Sequence, residues 1–289
     1  MAFEFFELSR WLGRPEHLFV FALQNRIWRY CSGAQQVVFD AGKPNEKIYL
    51  PAAISRSKIV ESPERKKNNI TIKMPYLLDP NAVDKPVTQP FGDIWRPYPP
   101  SGIVSVTCLA YHVNDPDLQT TVEWSGRAAQ PKFTDTALEL TCEPTSGHST
   151  TTGNGGVWSR GCQVVLYSQG LGMCNVDPAL HAFAATLISV SGLMLKAAAF
   201  AASPKNLEGG YIEWTSASGV VERRDIMAHT GDAIVVNYGA GDLAPELELI
   251  ALPGCPHNWD GCESFDNTDN YGGCMYLSGK NPFGGFPVW

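Results

Sequence analysis

Three things are missing from this 289-residue sequence, and each absence removes a class of function. No uninterrupted run of about 20 apolar residues, the length a membrane-spanning helix needs, is present. The most apolar stretch, Ala185 to Ala202, is broken by Ser189, Ser191, Gly192 and Lys196 and reads as buried strand or short helix, so no membrane span is expected. Basic charge is in deficit. Against 29 Asp and Glu there are 22 Lys and Arg, a formal charge of −7, which argues against a nucleic-acid-coating surface and against sequence-specific nucleic-acid binding. The basic run from Glu64 to Asn69 sits among turn residues and reads as a solvated turn. Catalytic signatures are the third absence. No G-x-x-x-x-G-K-[ST] loop occurs, Gly170-Leu171-Gly172 is not continued as a dinucleotide fingerprint, and His17, His112, His148, His181, His229 and His257 are scattered without an H-E-x-x-H pair. Ser55 and Lys58 match the S-x-x-K spacing, but the companion boxes of serine acyl-transfer enzymes are lacking. The N-terminus, with Glu4 and Glu7, has no basic segment followed by an apolar core and a small-residue cleavage site, so the chain is expected to be made and folded in a cytoplasm.

What is present favours a mainly β protein. The 27 Gly and 21 Pro, in a chain that is 44% hydrophobic and 18% charged, suit many short elements joined by turns. The length lies near the roughly 250 to 300 residues at which one core splits into two. Asn69 to Leu78 places Ile70, Ile72 and Met74 on one face of a strand and Thr71 and Lys73 on the other. Gly102 to Val113 repeats the pattern less cleanly with Val104, Val106 and Cys108. Between them Pro86 to Gly102 carries five prolines, which predicts neither regular helix nor central strand but an ordered loop pinned by aromatics. The Ser-, Thr- and Gly-rich segment Glu143 to Gly156 is the boundary candidate. Beyond it Gly209 to Ile226 reads as a hairpin, and Gly231 to Gly239 and Leu247 to Gly254 as two further strands. The expected organisation is a β domain over 1–147, a cysteine-bearing linker over 148–174, a second β domain over 175–252, and a cysteine-carrying C-terminal segment over 253–289. Both β domains are expected to be barrel- or sandwich-like.

Eight cysteines in a chain without an export signal are expected to be thiols or metal ligands rather than disulfides. Cys31, Cys108 and Cys142 sit in alternating apolar runs and read as unligated core thiols. Cys162 and Cys174 enter the second β domain, and Cys255 and Cys262 leave it. Because the termini of a barrel or sandwich commonly lie near each other, the two pairs are candidates to converge. Four Cys ligands suit tetrahedral zinc or an iron–sulfur cluster. The spacings C-x11-C and C-x6-C are wider than the C-x2-C hooks of most zinc ribbons, and ordinary buried thiols remain the alternative. His257, two residues after Cys255, is either a substitute ligand or a polar loop residue. The aromatics Trp158, Trp259, Phe265, Tyr271, Phe283, Phe286 and Trp289 most simply shield such a site, while the terminal FPVW has the character of a docking surface. No cysteine is marked as an activated nucleophile.

The pattern of Cys255 and Cys262, then FDNTDNYGGC and NPFGGFP, preceded upstream by Cys162 and Cys174, resembles the tail-tip hub proteins of long-tailed phages. These include the minor tail protein L type of lambda-like phages and the related hub of gene transfer agents. KIYLPAAISRSKIVESPERKKNNITIKMP in the first third has the same family look. The resemblance implies hub-type β domains and a 4Fe-4S cluster, with zinc as the alternative metal, held by Cys162, Cys174, Cys255 and Cys262. It also implies a homotrimer at the tail tip of the virion, assembled in the bacterial host cytoplasm. Its partners would be a hexameric distal tail protein, a central tail fibre protein and the tape-measure protein, around a channel for genome passage. No catalysis is expected on this reading. Cys274, an extra thiol, departs from the family pattern, as does the length of the mid-chain cysteine loop. The competing reading is a cytoplasmic metalloenzyme working on a small molecule at the same cysteines.

Overall fold

The computed structural model describes residues 2–9, 11–60, 68–145 and 159–277. The chain divides into two compact units, Met1–Thr151 and Thr152–Trp289. The basic run at Glu64 to Lys67, most of the Ser-, Thr- and Gly-rich segment, Trp158 and the FGGFP and FPVW motifs lie outside the described residues. The fold is mainly β, in two sheets of barrel- or sandwich-like curvature, one for each unit.

The first unit opens with a short helix, α1 (Ala2–Leu8). Its strands are β1 (Pro15–Leu23), β2 (Arg26–Cys31), β3 (Val37–Phe39), β4 (Lys47–Pro51), β5 (Ser55–Arg56), β6 (Ile70–Pro75), β7 (Ser105–His112), β8 (Thr120–Phe133) and β9 (Ala137–Pro144). They form one sheet in the order β3-β4-β2-β1-β7-β8-β9-β6-β5. Arg56 on the edge strand β5 places its Nη2 2.8 Å from Glu123 Oε2 on β8, three strands away in that order, which requires the sheet to curl. The expected alternation holds in β6, where Ile70, Ile72 and Met74 are buried and Thr71 and Lys73 exposed. In β7 it holds from Ser105 to Ala110 and breaks at Tyr111, because Ala110, Tyr111 and His112 are all buried. Cys31, Cys108 and Cys142 lie fully buried in β2, β7 and β9.

The proline-rich segment departs from expectation. A four-residue helix, α2 (Gln89–Gly92), forms inside it. Pro90 sits in its first turn, where a missing N–H costs nothing because that donor has no partner within a helix. The aromatic pinning is present: Phe91 is fully buried with its ring centroid 4.3 Å from Phe21, 5.4 Å from Trp28 and 5.0 Å from Trp95.

The second unit contains β10 (Phe183–Thr186), β11 (Ser189–Ser191), β12 (Met194–Lys196), α3 (Ala198–Ala201), β13 (Tyr211–Thr215), β14 (Val221–Thr230), β15 (Ala233–Val236), β16 (Glu248–Leu252) and α4 (Trp259–Ser264). The sheet order is β10-β16-β13-β14-β15-β12-β11. The stretch from Ala185 to Ala202 thus makes parts of three strands and one helical turn, with Leu187, Leu195 and Phe200 buried and Ile188 and Met194 exposed. β13 and β14 form the expected hairpin, pairing Thr215 with Val221 and Tyr211 with Asp225. Leu195, Phe200, Leu207, Ile212, Trp214, Ile226, Ile234 and Val236 belong to its core. Among the described residues, no helix is long and apolar enough to cross a membrane.

Candidate metal centre

The strand pairing of the second unit brings two distant cysteine-bearing segments to one end of its sheet. β10 and β16 are antiparallel neighbours, with Phe183 opposite Ala251 and Thr186 opposite Glu248. The chain entering β10 and the chain leaving β16 therefore emerge at the same end of the sheet. The first carries Cys162 and Cys174, the second Cys255 and Cys262, with 80 residues between Cys174 and Cys255.

Backbone contacts lock the two segments together. Cys162 N donates to His257 O (2.7 Å), Cys274 N donates to Ser159 O (2.8 Å), and Tyr167 Oη donates to Pro253 O (2.7 Å). At Gly210 and Gly254 two backbones approach so closely that a Cβ at Gly254 would lie 1.8 Å from Glu208 O. Between Cys255 and Cys262 the turn is equally tight: Asn258 Oδ1 caps α4 by accepting from Gly261 N (2.7 Å), and a Cβ at Gly261 would strike the Pro256 ring. Strain is concentrated here too. Of the five described non-glycine residues of this unit with positive φ, Tyr167, Asn175, His257 and Asp266 all border the cysteine segments. Such backbone conformations cost free energy and gather at functional sites.

The Cys255 and Cys262 thiols each feel Cys162 and Cys174, and coupling of this kind falls off with distance. Burial pushes the Cys262 thiol up to about 11, and Cys162, Cys255 and Cys174 each add to the shift. Burial likewise raises Cys255; the His257 backbone N–H opposes this, Cys162 and Cys174 reinforce it, and Lys205 opposes it. Four thiolates together would repel one another in a partly buried space, and a positive centre removes that repulsion. N–H groups already point at sulfur, as they do in thiolate-ligated sites: Gly272 N lies 3.4 Å from Cys162 Sγ, and Asn267 Nδ2 3.6 Å from Cys174 Sγ. Cys274 acts on Tyr271 but is not among the groups that shift Cys255 or Cys262. Among the described residues, no group of three or more His, Cys, Asp and Glu side chains is arranged to hold a metal ion.

Of the expected aromatic shield, Phe265 is buried with its ring edge-on to Tyr167, and Trp259 packs edge-on to Tyr271 at 5.3 Å. Trp158, Phe283, Phe286 and Trp289 lie outside the described residues. Sequence reasoning missed Tyr167, Lys205 and Asn267. Asn267 lies within the FDNTDN stretch, and nothing in the sequence distinguished it there from an ordinary turn residue. A cavity of about 600 Å³ adjoins the segments, lined by Gln163, Tyr167, Ser168, Arg223, Asp225 and His257 among others, and the four cysteines are not in its lining.

Residues 205–281 match a family described as "Phage conserved hypothetical protein BR0599", a stretch that covers β13 to β16 and the second cysteine pair. An uncharacterized protein of Xylella fastidiosa (strain 9a5c) is 42% identical over 181 residues, 63% of this chain. The chain spans 36% of the length of that relative. Among solved structures, a chain from the virion of a native gene transfer agent particle superposes with a TM-score of 0.68 at 15% identity, covering 96% of this chain and 92% of that one. The two chains share a fold over nearly their whole length.

Proposed function

We propose that the protein is a structural component of a phage-type virion, acting as the hub of the tail tip. The observation that carries this reading is the fold shared over 96% of the chain with a component of a gene transfer agent virion, together with the phage-family match over residues 205–281. In this reading three copies form a ring that joins a hexameric distal tail protein to a central fibre and encloses a channel for the tape-measure protein and then the genome. A net charge of −7 suits such a conduit, because a basic wall would release counterions from the duplex and hold it.

Cys162, Cys174, Cys255 and Cys262 are the proposed ligands of a 4Fe-4S cluster, with zinc as the alternative. The donor set fits soft-metal chemistry: four thiols, with N–H groups directed at two of the sulfurs. Zinc at 2.3 Å from each sulfur would need the sulfurs about 3.8 Å apart, whereas a cluster spans a wider space. The bound group would supply cross-linking bonds that couple its binding to folding. The metalloenzyme reading would put a substrate in the adjoining cavity, and it is the weaker one because no cysteine lines that cavity.

The test is assembly. Mixed with the distal tail protein of the same phage or prophage, the chain should give a threefold ring on a sixfold ring by electron microscopy, and anaerobically purified protein should contain iron and acid-labile sulfide. Monomer alone in the assembled particle would overturn the hub assignment, and a colourless zinc protein would overturn the cluster.

A further inference from the structure

Asn267 touches both cysteine segments. Its Nδ2 donates to Cys174 O (2.6 Å) and lies 3.6 Å from Cys174 Sγ, and its backbone N donates to Cys262 O (3.2 Å); its backbone O accepts from the Cys262 thiol (3.0 Å), a bond that a ligating thiolate would give up. The amide is held in that orientation from behind. Asn270 Nδ2 donates to Asn267 Oδ1 (2.7 Å), and Asn175 Nδ2 donates to Asn270 Oδ1 (3.3 Å). The chain of donors therefore runs from Asn175, beside Cys174, through Asn270 and Asn267 and back to Cys174. With Oδ1 occupied as acceptor, only the NH2 of Asn267 can face the sulfur.

We propose that Asn267 is a positioning residue of the cysteine centre, donating an N–H···S bond to the Cys174 sulfur in an orientation fixed by Asn270. The proposal rests on the metal-centre reading. A donor to a ligating sulfur withdraws charge from it, stabilises the more negative, reduced state and slows loss of the metal. Asn267→Asp keeps the shape and the acceptor but replaces the donor with a carboxylate. Asn270→Ala leaves Asn267 in place and removes only the group that orients it.

Wild type, Asn267→Asp and Asn270→Ala would be reconstituted anaerobically with ferrous iron and sulfide, and separately with zinc. Iron and sulfide content, the visible charge-transfer band, the midpoint potential and the rate of metal transfer to a chelator would be measured. Asn267→Asp is expected to bind metal, to release it about 10- to 100-fold faster, and in the iron form to show a more negative midpoint potential. Asn270→Ala is expected to shift both quantities in the same direction by less. Wild type that takes up neither metal overturns the metal-centre reading and this proposal with it. Wild type that loads while both variants match it in release rate and potential overturns the role of Asn267 alone. Should Asn267→Asp fail to fold, Asn270→Ala decides by the same two measurements.

Discussion

Gly254 and Gly161 each precede a candidate ligand by one residue, and the structure assigns them opposite sensitivities. A Cβ at Gly254 would stand 1.8 Å from Glu208 O and 2.5 Å from Gly210 N, both backbone atoms, whereas real Cβ contacts stop at about 3.0 Å. Neither neighbour can swing aside, so Gly254→Ala has to push the two chains about 1.2 Å apart. That displacement would strain the bond from Gly254 N to Asn206 O and shift Cys255. Overpacking of this kind costs about 1–3 kcal/mol, and a clash between two backbones belongs at the upper end. For a unit of this size each kcal/mol lowers Tm by about 4 °C, so the second unit should melt about 10 °C lower. At Gly161 a Cβ would meet only His257 O at 3.4 Å, an ordinary contact. Gly161→Ala should therefore stay within about 0.5 kcal/mol of wild type, as surface changes usually do. Calorimetry on the full chain, with metal uptake measured on the same samples, reads both effects. A Gly254→Ala protein that melts with wild type and loads equally, or a Gly161→Ala protein that falls as far, would refute the close-approach argument.

Phe91→Ala removes a fully buried ring that contacts Phe21, Trp28 and Trp95, and should cost the first unit about 3–5 kcal/mol in urea unfolding followed by near-ultraviolet circular dichroism. Arg224 is buried between Tyr238 and Trp214 and pairs with Glu222 at 2.9 Å, so Arg224→Ala should cost the second unit about 3–5 kcal/mol by breaking that buried pair and emptying the space between the two rings. Burial, with Lys205 adding and Asp177 opposing, holds the His181 imidazole below its usual value. Its contribution to stability is complete above about pH 6.5, the unfolded value, and is lost as the pH falls through the folded one, so the urea midpoint should drop from pH 7 to 5 less steeply in His181→Phe. Cys255→Ser should expose Asn267 to Gly273 to early proteolysis in metal-loaded samples, where wild type and Cys31→Ser stay protected.

Much of this architecture was legible because its signals are local. Alternation at Ile70, Ile72 and Met74 and the Ser-Gly turn between Thr215 and Val221 each depend on a few neighbouring residues. Alternation failed at the end of β7, where Tyr111 packs with Phe39 and Tyr49 while His112 is covered by Phe3 and Phe6 of α1, residues far away in sequence. The prolines near Phe91 were misread because a proline in the first turn of a helix breaks nothing. At the cysteine segments, the placement of Cys162 and Cys174 before the second β domain and of Cys255 and Cys262 after it made the two pairs candidates to converge, and the family resemblance implied them as ligands. Asn267, Tyr167 and Lys205 were beyond reach, because their roles come from chain segments that only the folded sheet brings together.

That meeting depends on one short pairing. β10 is an edge strand held by four residue pairs to β16, from Phe183–Ala251 to Thr186–Glu248. At about 3.4 Å per residue, a parallel arrangement would put the two cysteine segments roughly 14 Å apart, at opposite ends of the strands. An edge strand this short contributes little stability of its own. The cysteine segments add Cys162 N to His257 O, Tyr167 Oη to Pro253 O and the Asn267 contacts at the end where β10 begins. The strand pairing therefore brings the two cysteine segments together, and whatever joins those segments also fastens β10 to the sheet. On the proposed metal-centre reading, metal binding and closure of the second unit are one cooperative event: protein prepared without metal should lose hydrogen-exchange protection first in β10, while β13 and β14 in the middle of the sheet keep theirs. Uniform loss of protection across the sheet, or none, would show that the centre and the edge strand are independent.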